Sequence, residues 1–113
     1  AMTRRQPQLQ DNVLRFGDLS LDRSSFQLTG PGGGVRLGNR DFQIMEMLLE
    51  HPSQVIPTEQ FLEKIWGYDS DAEINVVWVY ISYLRKKLGL IGADIEIKAT
   101  RGVGYTLEEK HND

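Results

Sequence analysis

The sequence contains no cysteine among its 113 residues. That excludes a disulfide framework, a thiol nucleophile and any zinc site built on cysteine, and it fits a reducing compartment. Histidine is scarce as well. His51 stands beside Pro52 and His111 lies in the tail, neither with a Ser, a Cys or a paired carboxylate at catalytic spacing. The acids from Asp41 to Glu73 are spread out without a metal-ligand pattern. The chain therefore does not read as an enzyme, and no cofactor or metal is implied. No apolar run approaches the roughly 18 residues of a membrane helix, and the N-terminus lacks the apolar stretch of a signal peptide. The expectation is a soluble cytoplasmic domain without membrane contact. The run Gly30-Pro31-Gly32-Gly33-Gly34 invites a phosphate-loop reading, but no Gly-Lys-Ser/Thr follows it, so it reads as a hairpin turn.

What is present is an ordinary globular composition, 40% hydrophobic and 26% charged, in a length that buries roughly 65% of its unfolded surface in one core. Ala1 ahead of Met2 reads as the scar of a cleaved expression tag. Residues 1–12 are expected to be tag scar and flexible linker, 13–108 one domain, and 109–113 a C-terminal tail. Thirteen Lys and Arg stand against 16 Asp and Glu, a net charge of −3. The distribution matters more than the sum. Residues 1–40 carry six basic and three acidic groups, 41–73 one against eight, and 74–107 five against two. An acidic middle thus separates two basic flanks.

Apolar residues alternate at period two through Leu14 and Phe16, Leu19 and Leu21, Phe26 and Leu28, and Val35 and Leu37, which predicts four short strands in an antiparallel meander with one apolar face. From Asp41 to Glu50 the apolar positions Phe42, Ile44, Met45, Leu48 and Leu49 recur at helical spacing, with Pro52 just beyond. A second, shorter helix follows Pro57 and Thr58, turns Phe61, Leu62 and Ile65 inward and stops at Gly67; Tyr68 to Glu73 read as a loop. A third helix is predicted from about Ile74 to Leu88, ended by Gly89. In projection Val77, Ile81, Leu84 and Leu88 share one narrow arc, the core stripe. Asn75, Val79, Ser82 and Lys86 point away from it, with Tyr83 bordering the outer face and Trp78 and Arg85 bordering the stripe. Ile95 and Ile97 alternate with Glu96 and Lys98, and Tyr105-Thr106-Leu107 returns after a tip that carries Arg101. That is a β-hairpin.

Helices two and three, joined by a loop, can form a helix-turn-helix-like pair, and a helix about 10 to 12 Å across fits the major groove of B-DNA. The hairpin can reach a neighbouring groove, where an Arg at a narrow tip suits the negative potential of the minor groove. Several bland alternatives compete with these roles. Lys86 and Lys87 are phosphate contacts or ordinary cations near a helix C-terminus. Arg85 divides between DNA contact and local packing, and Trp78 and Tyr83 between lining the interface and covering core. Asn75 can bond adenine bidentately from the start of the third helix. Trp66 reads as core.

Leu37 through Asp41-Phe42, Val55-Ile56, the segment Phe61-Leu62-Glu63-Lys64-Ile65-Trp66-Gly67, the run from Asn75 to Leu88 ending in Leu-Arg-Lys-Lys-Leu, and Thr100-Arg101-Gly102-Val103-Gly104-Tyr105 come in one order. With them the chain resembles the C-terminal effector domain of OmpR/PhoB-type response regulators over about residues 13–107. The resemblance implies an α+β winged helix with an N-terminal four-stranded antiparallel sheet, three helices and a C-terminal hairpin wing. It implies sequence-specific binding of double-stranded DNA in a two-component system, with the third helix in the major groove and the wing in the minor groove. The residues expected at DNA are Asn75, Trp78, Val79, Ser82, Tyr83, Arg85, Lys86, Lys87 and Arg101. The implied partners are direct-repeat half-sites, a receiver domain that accepts a phosphoryl group on Asp and is not in this sequence, a sensor kinase acting through that receiver, and RNA polymerase as a further candidate. In this family an Arg and an acidic residue usually stand where this chain has Asn75 and Trp78, more Arg where it has Ser82 and Tyr83, and a capping Thr where it has Gly38. The rival reading is a winged helix that docks a protein through its aromatic face, favoured by the acidic net charge.

Overall fold

A computed structural model describes residues 12–67 and 75–110. Four strands, β1 (Val13–Phe16), β2 (Leu19–Asp22), β3 (Gln27–Gly30) and β4 (Gly33–Arg36), form an antiparallel meander in sequential order. Their period-two pattern buries Leu19, Leu21 and Leu28 on one face. Gly17 opens the two-residue β1–β2 turn at φ +60°, the positive φ that primed hairpin turns require. The β3–β4 turn is tighter than its glycine content suggests. Strands run to Gly30 and resume at Gly33, so only Pro31 and Gly32 turn, and the Gly32 N–H donates to the Ile91 carbonyl at 2.8 Å.

Phe26 departs from the sequence expectation. It lies before β3 at φ +65°, its N–H bonded to the Asp22 carbonyl at 2.9 Å and its own carbonyl accepting from Leu37 at 2.8 Å. The reversed backbone swings its ring off the sheet and onto Phe42, with centroids 4.0 Å apart and planes 5° from parallel. Leu37 likewise falls beyond β4 but is buried at the entry to the first helix.

Three helices follow the sheet, and the first of them packs against β1. Helix α1 (Asn39–Glu50) begins two residues earlier than its apolar spacing predicts and has no side-chain cap, Gly38 standing at the N-cap. Its predicted apolar residues are all buried, together with Met47 and Asp41. Helix α2 starts as an α-turn, Thr58–Phe61, and continues as a π-helical turn, Leu62–Trp66, with the Gly67 N–H reaching back to the Leu62 carbonyl at 2.9 Å. Phe61 is fully buried, while Leu62 and Ile65 pack at the margin of the core. Trp66 also stays at that margin, under the Arg40 guanidinium at 4.7 Å. The expected Tyr68–Glu73 loop and Ile74 lie outside the described residues.

Helix α3 (Asn75–Leu90) extends past Gly89, where the sequence predicts its end. The stop is a Schellman motif one turn later. Gly92 takes φ +66°, its N–H donates to Gly89 at 3.2 Å, and the Ala93 N–H donates to Leu88 at 3.1 Å. Leu88 and Ala93 are both buried, the apolar contact that accompanies this cap. The core stripe is as projected, since Val77, Ile81, Leu84 and Leu88 are all buried.

The C-terminal hairpin pairs β6 (Ile95–Thr100) with β7 (Gly104–Glu109), and a strand absent from the sequence reading, β5 (Ile56–Pro57), joins the far side of β7. Two residues are too few to show period-two alternation. Their partner at Gly104 can approach only because it lacks a side chain: a Cβ there would run into the Ile56 carbonyl. The result is a four-stranded sheet, three helices and a winged C-terminal hairpin.

Candidate nucleic-acid interface

Trp78 of α3 and the tip of the β6–β7 wing lie on either side of an open cleft of about 590 Å³, lined also by Thr58, Glu59, Arg101 and Val103. The wing is tied down here. The Thr58 N–H at the start of α2 donates to the Val103 carbonyl at 3.1 Å, and the Val103 N–H closes the tip on Thr100 at 2.9 Å. Gly102, at φ +76°, makes that tight reversal without the strain a side chain would meet. Arg101 is therefore exposed on a short, braced tip.

On α3, Trp78 is 56% exposed, Val79 37% and Tyr83 50%. Both aromatics thus show substantial surface rather than completing the core. Tyr83 meets Tyr80 edge to face at 6.0 Å between centroids, and Tyr80 meets Trp66 at 5.6 Å, so an aromatic row runs from α3 to α2. The Ser82 hydroxyl donates to the Trp78 carbonyl at 3.1 Å, a back-bond within the helix. Asn75 is the first residue of α3, but its side chain lies outside the described residues.

The three consecutive cations have different surroundings. Arg85 directs Nε and Nη2 at the Ile97 carbonyl, at 3.1 and 2.9 Å, and so binds α3 to the wing sheet. Lys87 places its ammonium 2.7 Å from Asp41 Oδ2 on α1. Lys86 is exposed and forms no ion pair among the described residues. The sequence could show all three as basic. It could not show that two have partners 12 and 46 positions away. Val103 and Thr58, which shape and brace the tip, were also missed; the only local signal was that Val103 sits between two glycines.

Among the described residues no cluster of His, Cys, Asp or Glu could hold a metal ion, and no helix is long and apolar enough to cross a membrane. What the surface offers is a helix face with Trp78, Val79, Tyr83 and Lys86 exposed, and a wing tip with Arg101 exposed. A helix of this kind fits the major groove, and a narrow basic tip the minor groove.

Residues 32–107 match the family described as transcriptional regulatory protein, C terminal. The chain is 41% identical over 108 residues to the transcriptional regulatory protein DltR of Streptococcus agalactiae, a match covering 96% of this chain and 48% of that protein. The chain thus spans about half the length of such relatives. Its fold is similar to the C-terminal domain of the nisin resistance regulator NsrR, at 39% identity and a TM-score of 0.72 over 87% of this chain and 99% of that one. It is also similar to the DNA-binding domain of Klebsiella pneumoniae RstA, solved in complex with the RstA box, at 30% identity and a TM-score of 0.71 over 85% and 96% of the two chains. The chain belongs to this family of transcriptional regulatory C-terminal domains, which are not enzymes but the winged-helix effector domains of OmpR/PhoB-type response regulators.

Proposed function

We propose that the chain binds double-stranded DNA sequence-specifically, as the effector domain of a cytoplasmic two-component transcription regulator. The observation that carries this reading is the exposed Trp78, Val79 and Tyr83 of α3 together with the exposed Arg101 on the braced wing tip across the cleft from Trp78. The likeness to the RstA domain solved on its DNA box supports it. In this reading Asn75, Trp78, Val79, Ser82 and Tyr83 face the major groove, Lys86 meets phosphate, and Arg101 enters the minor groove. Arg85 and Lys87 set the pose of α3 through Ile97 and Asp41 while adding positive potential nearby. The partners are direct-repeat half-sites, a receiver domain with its sensor kinase, and RNA polymerase.

The exposed aromatics Trp78 and Tyr83 favour one rival, a module that docks a protein instead of DNA. Titration against random duplex DNA at low and moderate salt separates the two. A DNA-binding domain shows affinity that falls with salt as counterions are released, while a protein-docking module shows neither binding nor salt dependence.

A further inference from the structure

Two turns of the N-terminal meander close on the segment that joins α3 to the wing, residues 91–94 between Leu90 and Ile95. At its start the carbonyl of the buried Ile91 accepts the Gly32 N–H of the β3–β4 turn at 2.8 Å. At its end the Asp94 N–H donates to both carboxylate oxygens of Asp18, in the β1–β2 turn and 76 positions away in sequence, at 3.1 and 3.0 Å. The same turn lies against the root of both wing strands, since a Cβ on Gly17 would stand 2.7 Å from Ile95 Cδ1 and 2.9 Å from Glu109 Oε2. Asp94 is held from the wing side as well, its carbonyl accepting the Lys110 N–H at 3.0 Å just past β7.

We infer that Asp18 is a positioning residue for the wing: by fixing the Asp94 amide, the β1–β2 turn sets how the β6–β7 hairpin, with Arg101 at its tip, stands relative to α3. The inference rests on the DNA-binding reading above and extends it to a turn far along the chain from either DNA-facing element. A helix and a wing enter neighbouring grooves together only if their spacing matches the duplex, and the short link between them is where that spacing can drift. Within the link, the N–H groups of Ile91, Gly92 and Ala93 bond back to Lys87, Gly89 and Leu88 of α3. They fix the link to the helix. The Asp94 N–H instead leaves the helix for the sheet, and a carboxylate acceptor makes that bond stronger than one to a neutral oxygen. Charge alone predicts the opposite effect on binding, because removing an acid from a DNA-binding domain raises its attraction for phosphate.

The test separates geometry from charge. Asp18→Ala and Asp18→Asn remove the same negative charge, but the asparagine keeps an oxygen that can accept the Asp94 N–H. On a duplex selected by this chain from a randomised pool, Asp18→Ala is expected to bind about threefold more weakly than Asp18→Asn, with unchanged circular dichroism spectra, and Arg101→Ala to cost about threefold less in the Asp18→Ala background than in the parent. In the free chain, the backbone amide resonances of residues 100–103 are expected to shift in Asp18→Ala and to stay close to the parent's in Asp18→Asn. The inference is overturned if the two variants bind an enriched duplex equally, if the Arg101→Ala loss is the same in both backgrounds, or if the shifts in Asp18→Ala end at the turn and the link. If no duplex is enriched, the DNA-binding reading fails, and the resonances of the free chain decide by themselves whether Asp18 positions the wing.

Discussion

The ammonium of Lys87 on α3 lies 2.7 Å from Oδ2 of Asp41 on α1, a carboxylate that is only 6% exposed and whose other oxygen, Oδ1, has no hydrogen-bond partner. Removing the lysine leaves a buried charge uncompensated, which costs more than the pair itself contributes. Lys87 is itself partly exposed, so water softens the loss. We expect Lys87→Ala to lower stability by about 2 kcal/mol, read from urea unfolding, and Asp41→Asn combined with it to lose less than the sum of the single changes. Strict additivity would show that the contact carries no coupling.

Arg101→Ala should weaken DNA binding without unfolding the domain, because the tip is exposed and its backbone is held by Thr58 and Thr100 rather than by the guanidinium. The loss should be accompanied by a salt slope shallower by about one. Unchanged affinity with an unchanged circular dichroism spectrum would remove the wing from the interface.

Asn75→Ala should relax base preference. We expect a loss of about 1 to 3 kcal/mol on the selected site and less on random duplex. Equal losses on both, measured by fluorescence anisotropy, would make Asn75 a backbone contact.

Gly104→Ala addresses the wing's attachment. A Cβ at that position meets the Ile56 carbonyl and the Pro57 backbone, neither of which can yield without parting β5 from β7. The expected destabilisation is about 3 kcal/mol, visible in thermal unfolding. A variant as stable as the parent would show that the β5–β7 pairing contributes nothing.

Assembly follows from charge. With Lys86 and Arg101 the main cations at the proposed interface and a net charge of −3, one copy gains little from counterion release. The isolated chain should be monomeric and bind two half-sites about 10 to 11 base pairs apart, one helical turn, on the same side of the duplex. Inserting about five base pairs rotates one copy to the opposite side and should abolish cooperative binding in a mobility-shift assay. Tight binding to the spaced site, or nanomolar binding to a single half-site in physiological salt, would overturn the tandem arrangement.

What the sequence by itself determined was periodic. Alternation at two placed Leu19, Leu21 and Leu28 inside, and helical spacing did the same for Val77, Ile81, Leu84 and Leu88, because a side chain's direction along a regular element depends only on its neighbours in sequence. The same projection set Val79, Ser82 and Lys86 outward, so the candidate interface was legible to that extent. Tertiary structure decided what depends on distant partners. Phe26 leaves the sheet because Phe42 offers a ring to stack on; α3 runs past Gly89 because Leu88 and Ala93 close a Schellman cap at Gly92; two residues at Ile56 and Pro57 become a strand because β7 lies alongside. Arg85, Lys86 and Lys87 are alike as letters. Which of them has a partner for its charged head is settled by a carbonyl on β6 and a carboxylate on α1, and packing across long chain separations is what brings those atoms within reach.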